Sequence, residues 1–250
     1  MAHQDHIRRL RDGVEGWNKW RQEHPDEIPD LSNAQIRGKD LRGGDLSGAD
    51  MHGNSFVGSD LSEANLSDAD LTRTRFNLSD LREASLQDAS LIESSLQSAE
   101  LDDADLRNAE LIRADLSNAA LIKVDLRGAN LTGADLRGAR LIMADLRDAV
   151  LTRANCAKAD MIESDLRNAD LGGANLANAN LSGANLEGAS LEHANLEGTV
   201  MPEGYVRDEP ADNEDLRKMP ARSLGEIIQR RDAERSSLEE RHRWSSKSKY

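Results

Sequence analysis

The sequence has a single cysteine, five prolines, only 3% aromatic residues and no long hydrophobic run. One cysteine excludes an internal disulfide framework and favours a cytoplasmic location. That residue, Cys156, is expected to be a small buried hydrophobe rather than a reactive thiol. No stretch approaches the ~20 apolar residues of a transmembrane helix and no signal peptide is recognisable, so we predict no membrane contact.

Residue types that carry chemistry are scattered. The six histidines have no metal-ligand spacing and no nucleophile beside them. The glycines recur singly, not in a phosphate-binding loop. The sequence therefore predicts no catalytic residue, no metal site and no cofactor, and a protein that is not an enzyme.

A repeat of five residues takes the place of the missing hydrophobic runs. From Leu31 to Leu196 every fifth residue is apolar and usually Leu, and the residue two places earlier is usually Ala. This period fits neither a helix nor a simple strand. In a short extended segment, residues two apart point to the same side. The repeat centre and the preceding Ala therefore face inward, and a corner follows where Gly recurs.

A second period of 20 residues sets the size of one coil. Asp-Leu-Arg recurs at 105–107, 125–127, 145–147 and 165–167. Similar residues stack above one another in solenoids, so four sides of five residues make one coil. Because burial of about four Leu contributes roughly 6–12 kcal/mol against roughly 20–40 kcal/mol of backbone entropy, a single coil cannot fold alone and the ends need caps. The predicted core includes Phe56, Phe76, Leu126 and Leu146.

The pattern over residues 31–200 resembles the pentapeptide repeat family, whose motif is roughly A(D/N)LXX. The resemblance implies an all-β solenoid, a right-handed quadrilateral β-helix with the centre Leu and the Ala packed inward. The segment 13–34, GVEGWNKWRQEHPDEIPDLSNA, resembles a leader of GVxxWNxWR type that precedes the repeats in bacterial members.

The chain divides into three predicted regions. Residues 1–30 form an N-terminal helical cap and lead-in, with one amphipathic helix over 5–21. Residues 31–200 form the β-helix. Residues 201–250 form a linker, a short helix over 223–242 that opens with a Ser223–Glu226 capping box, and a flexible tail.

Two periodic surface features are candidate sites. Isoleucines at 20-residue spacing form an outward aliphatic stripe with Met143, which is equally consistent with an interface and with the preference of β-branched residues for strands. If it is an interface, we expect the 223–242 helix or a second chain to cover it, which includes a homodimer through the stripe or that helix. An Arg ladder beside an Asp ladder is read as a structural network in preference to an anion site. The stripe residues are Ile122, Ile142 and Ile162.

Charge is distributed unevenly along the repeats. Residues 43–105 contain 14 acidic and 3 basic residues, a net charge of −11, whereas residues 106–170 contain 10 of each. At about 4.8 Å per coil, the acidic segment carries one net charge per ~1.4 Å, close to the one per ~1.7 Å of duplex DNA. The candidate DNA-mimicking patch consists of Asp45, Asp50, Asp60, Glu63, Asp68 and Asp70.

These features predict a non-enzymatic, rod-like scaffold that binds an unidentified protein partner. The alternative is a DNA mimic that binds DNA gyrase or topoisomerase IV, the type II topoisomerases, as resemblance to the quinolone-resistance branch of the family implies. The neutral middle of the repeat, the lack of projecting loops and the leader argue against it. Direct nucleic-acid binding is not expected at a net charge of −14.

Overall fold

The computed structural model describes residues 3–202 and the backbone of residues 206–207. Helices α1 (Gln4–Asp12) and α2 (Val14–Glu23) open the chain. A solenoid occupies residues 30–200, and at its end strand β1 (Thr199–Val200) pairs antiparallel with β2 (Val206–Arg207). The helix predicted over 223–242 and the predicted tail lie outside the described residues. Neither described helix has the length and apolar character needed to cross a bilayer.

Parallel bridges build the solenoid. Each residue that precedes a repeat centre bridges to the residue 20 positions later, from Asp30 with Asp50 to Asn180 with Val200. The bridges fall into four columns, so each coil has four sides of five residues. The 20-residue coil predicted from the sequence is confirmed, and the ladder continues without an inserted loop between residues 30 and 200.

All five backbone N–H groups of a regular repeat have acceptors, as residues 125–129 illustrate. Asp125 donates to the preceding coil at 3.0 Å, and the N–H groups of residues 126 and 128 donate to the next coil at 2.7 and 3.0 Å. The N–H of residue 129 closes the corner by donating to the centre carbonyl at 3.0 Å. The remaining N–H, of Arg127, donates to the Asp125 carboxylate at 3.2 Å. An Asp or Asn before the centre thus completes the hydrogen bonding, which explains this position of the motif.

The core is a stack of repeat centres and small residues. Phe56, Phe76, Leu126 and Leu146 all have 0% exposure. The two Phe rings stack with centroids 5.3 Å apart and an interplanar angle of 8°. Where Thr74 replaces the usual inner Ala, its hydroxyl donates to a backbone carbonyl of the preceding coil at 2.8 Å, so the buried polar group is paired.

The N-terminal region contains two helices, so the prediction of one helix over 5–21 was wrong in its continuity. Helix α1 ends at Asp12 and α2 begins at Val14, because Gly13 adopts a φ of 126° that interrupts the helical backbone. Ile7, Leu10 and Trp17 are buried, as the amphipathic pattern indicated.

Side chains of α2 cap the open edge of the first coil. In a regular coil that edge is covered by the preceding coil: the carbonyl and N–H of Asn65, and the carbonyl of Ser67, all bond to residues about 20 positions earlier. One coil lower in the ladder, the equivalent groups belong to Asp45 and Ser47, and no coil precedes them. An uncovered strand edge of this kind would leave backbone groups unpaired.

Three residues of the leader supply the missing partners. Trp17 Nε1 donates to the Asp45 carbonyl at 2.7 Å, and Asn18 Oδ1 accepts from the Asp45 N–H at 2.8 Å. Arg21 donates to the Ser47 carbonyl at 2.9 Å. The Trp-Asn and Arg of the leader therefore imitate the hydrogen bonds of an additional coil.

We expect Asn18→Ala to lower the free energy of unfolding by about 1–2 kcal/mol, because the Asp45 N–H loses its acceptor. Lys19→Ala is the matched control: the Lys19 side chain is 77% exposed, and its loss should cost less than about 0.5 kcal/mol. Urea unfolding measures both, and hydrogen exchange should be faster at the Asp45 amide in the Asn18 variant alone. Equal midpoints for the two variants would contradict the capping role.

Candidate interaction surface

The bridge columns define four faces of the solenoid. Face 1 contains residues 30–32 and every equivalent position 20 residues later; faces 2, 3 and 4 begin in the same way with residues 35–37, 40–42 and 45–47. On every face the residue on each side of the centre points outward. The second residue after each centre turns the corner and has a left-handed φ. Faces 1 and 3 are opposite sides of the coil.

The aliphatic stripe lies on face 3. Its three isoleucines follow the centres of successive coils, and each is half-buried. Because coils are about 4.8 Å apart, the stripe is ~10 Å long. Met143, at the corner beside Ile142, is also half-buried and widens the stripe at its middle. The fold thus brings together all four residues that the sequence singled out.

The six acidic residues predicted as one patch are distributed over three faces. Two belong to face 3, two to face 4 and two to face 1. A charge count along the chain cannot distinguish these faces, because successive repeats turn the chain from one face to the next. The pairs, in that order, are Asp60 with Glu63, Asp45 with Asp68, and Asp50 with Asp70.

Face 3 has its own concentration of carboxylates, which the linear count missed. Over residues 40–103 this face and its following corner contain eight acidic residues and only Arg42 and Arg82 as basic residues, a net charge of −6. We call this region the acidic half of face 3. Sorting the sequence by position within the 20-residue coil would have revealed it. Its acidic residues are Asp40, Asp60, Glu63, Asp80, Glu83, Glu100, Asp102 and Asp103.

Within the acidic half, Asp60 is held as a carboxylate by its neighbours. Burial alone would raise its pKa, but hydrogen bonds from the Ser62 hydroxyl at 2.6 Å and from Arg42 at 2.8 Å outweigh burial and lower the pKa to about 2. Arg42 therefore neutralises one member of the predicted acidic patch.

The Arg ladder lies on face 4 and is paired within the chain. Each Arg donates from Nη2 to the Asp of its own repeat at 2.6 Å. In the first three, Nε also lies 3.8, 3.6 and 3.7 Å from the Asp of the next coil. The hydrogen bond from Arg107 lowers the pKa of Asp105. The pairing supports a structural network. The ladder consists of Arg107, Arg127, Arg147 and Arg167.

A cluster on face 1 escaped the sequence analysis because its members come from successive coils. Ligand atoms of Asp50, His52 and Asp70 lie within 4.8 Å of one another, the one such group within residues 3–202. His52 Nδ1 is 2.7 Å from Asp50 Oδ1, and Asn33 Nδ2 is 3.1 Å from His52 Nε2. Both ring nitrogens therefore already have partners in the chain.

The single thiol is sealed inside the solenoid. Cys156 has 0% exposure at a repeat centre, and burial, followed by the charge of Asp135, raises its pKa to about 12. A thiol of this kind is neither ionised nor accessible near neutral pH.

Cys156 should not react with Ellman's reagent at pH 8 in the native protein, because the reagent reaches only an exposed thiolate. In denaturant, one equivalent should react rapidly. Rapid labelling of the native protein would show that the solenoid opens at this coil.

The Asp60 pair should make stability depend on pH in a defined window. Since the folded pKa is about 2 and the ordinary value is 3.8, the stabilisation is complete above pH ~4 and is lost as the pH falls towards 2. Asp60→Asn should therefore cost about 1 kcal/mol at pH 7 and almost nothing at pH 2. Thermal unfolding at both values measures this, and the exposed corner variant Glu63→Gln is the control. A cost for Asp60→Asn that persists at pH 2 would contradict the prediction.

Comparisons with known proteins agree with the architecture. The family model described as "Pentapeptide repeats" matches in eight copies between residues 30 and 201. HetL, a pentapeptide repeat protein involved in heterocyst differentiation regulation in the cyanobacterium Nostoc, is 33% identical over 76% of this chain and 98% of its own, with a TM-score of 0.36. No curated protein sequence matches the chain.

Two further solved structures share the repeat at lower identity. The plasmid-mediated fluoroquinolone resistance protein QnrB1 is 18% identical over 64% of this chain and 90% of its own, with a TM-score of 0.42. A pentapeptide repeat protein of the Arabidopsis thaliana thylakoid lumen is 24% identical over 55% of this chain and 68% of its own, with a TM-score of 0.25. Because the family model spans well over half of the sequence, the chain belongs to the pentapeptide repeat family, which implies a right-handed β-helix.

Proposed function

We propose that the chain is a non-enzymatic scaffold whose solenoid, residues 31–200, binds a protein partner through one face while residues 1–30 cap it. The aliphatic stripe on face 3 is the observation that carries this proposal. Continuous apolar surface often marks a contact site. The Arg ladder of face 4, by contrast, already has carboxylate partners in the same chain.

The absence of catalysis is part of the proposal, and the environment of the reactive residue types supports it. Cys156 is buried and its thiol stays protonated. His52 has both ring nitrogens engaged. The single buried cysteine also supports the cytoplasmic location that the proposal includes.

DNA mimicry, with a type II topoisomerase as the partner, is the weaker alternative. It requires a coherent charged surface, whereas the six predicted acidic residues occupy three faces and Asp60 is paired with Arg42 at 2.8 Å. A homodimer through the stripe alone is also weaker. Three coils of one face offer only ~150 Å², far below the ~800 Å² per partner of a standard interface.

Photo-crosslinking from each face of one coil tests the proposal in the cells from which the sequence comes. Benzoylphenylalanine is placed, one position at a time, at equivalent outward positions of the sixth coil: Thr132 on face 1, Arg137 on face 2, Ile142 on face 3 and Arg147 on face 4. A binding scaffold should give a defined protein adduct from one face, identified by mass spectrometry. Equal adducts from all four faces, or none from any, would overturn the proposed function.

A further inference from the structure

Face 3 has two chemically different halves in one continuous column. The acidic half, residues 40–103, is followed directly by Ile122, Ile142 and Ile162 in the next three coils. The opposite face 1 has a shorter aliphatic pair, Ile92 and Ile112, followed by Thr132 and Thr152. Only face 3 therefore combines a large net charge with a run of three isoleucines.

Most of the charge in the acidic half is open to a partner. Arg42 pairs with Asp60, and Arg82 pairs with Asp80 and lies 3.4 Å from Glu100. Three exposed corner carboxylates have no ion pair with any residue in the described part of the chain: Glu63, Glu83 and Asp103. They form a column about 4.8 Å apart in successive coils, at a spacing that basic side chains of one partner segment could match.

An exposed Leu adds an apolar contact beside these charges. Leu78 is 69% exposed at the corner that leads into face 3, two residues before Asp80. Its φ is 59°, a left-handed conformation that favours Gly or Asn over Leu. Neither core packing nor corner geometry accounts for this side chain, whereas contact with a partner on face 3 does.

The dimensions of face 3 fit one α-helix. A side of three extended residues is ~10 Å wide, and an α-helix with its side chains is about 10–12 Å across. From Asp60 to Asp160 the column spans five coil steps, or ~24 Å, which corresponds to about 16 helical residues.

We propose, building on the scaffold function above, that face 3 binds an amphipathic helix of a partner protein. Lys and Arg at one end of that helix lie over the acidic half, and apolar residues at the other end lie over the isoleucines. The charges steer association and set the register of the helix, and the stripe supplies the apolar contact. Binding weakens as salt rises, because the corner carboxylates are exposed.

Binding of synthetic helices to the full chain tests this assignment. The probes are fluorescein-labelled 18-residue peptides with Lys in one half and a Leu stripe in the other, made in both orders along the chain. A third peptide has the same composition with Leu scattered around the helix. Fluorescence anisotropy at 50 and 300 mM salt measures Kd. We expect one of the two ordered peptides to bind at least about tenfold more tightly than the scattered peptide, since only it aligns both halves with face 3.

Two sets of variants separate the two halves of face 3. Ile122→Thr/Ile142→Thr/Ile162→Thr should weaken binding about tenfold or more by removing apolar contact. Thr occurs naturally at this repeat position in Thr72, Thr132 and Thr152, so these variants should fold. Glu63→Gln/Glu83→Gln/Asp103→Asn should weaken binding several-fold at 50 mM salt and reduce its salt dependence.

Matched changes elsewhere are the controls. Ile92→Thr/Ile112→Thr removes isoleucines from face 1, and Glu187→Gln/Glu192→Gln/Glu197→Gln removes three exposed charges from faces 4, 1 and 2. Both controls should keep Kd within about twofold of the unmodified chain. Equal losses in controls and face 3 variants, equal binding of the scattered peptide, or no binding of either ordered peptide would overturn the assignment. Crosslinks from a face other than face 3 would also refute it but leave the scaffold function intact, whereas no crosslink from any face would refute both.

Discussion

The hydrogen bonding of the backbone N–H groups is the constraint on which the structure depends. A coil buries only Leu, Ala and a few similar side chains, which is too little to offset the entropy of ordering 20 residues. Stability comes from stacking, and stacking requires every coil to offer donors and acceptors at the same heights. The Asp or Asn before each centre meets this requirement for the one N–H that the ladder leaves over, as Asp125 does for Arg127. The same requirement explains the leader, in which Trp17, Asn18 and Arg21 take the place of a coil that does not exist.

This arrangement separates the interior from the surface. The fold uses the inward pair and the residue before the centre, so the residue after the centre and the corner residue vary with little effect on the ladder. Outward columns such as the Arg ladder and the aliphatic stripe can therefore change independently on the four faces. A surface made in this way is rigid, and its chemical groups stand at a fixed spacing of about 4.8 Å.

Much of the solenoid could be predicted from the sequence, because the apolar repeat directly reports which residues face inward. The five-residue period located Leu126 and Leu146 in the core, and the 20-residue recurrence gave the coil. The break at Gly13 was missed because Ile7, Leu10, Val14 and Trp17 continue the helical spacing across it. The face 1 cluster and the acidic half of face 3 were missed for another reason. Asp70 lies above Asp50, and Glu83 above Glu63, only after the chain has gone once around, so adjacency in space follows remainders of 20.

The same geometry governs how insertions act on a surface of this kind. Duplication of 20 residues adds one coil and leaves every downstream residue on its face, so a stripe of isoleucines simply becomes longer. Duplication of five residues also preserves the repeat, the core and the corner conformations, but it turns everything downstream by a quarter of a circle. Placed between residues 103 and 120, such a duplication would leave a stable solenoid whose isoleucines no longer continue the acidic column. Related proteins of equal stability can thus differ in recognition through a change of only five residues.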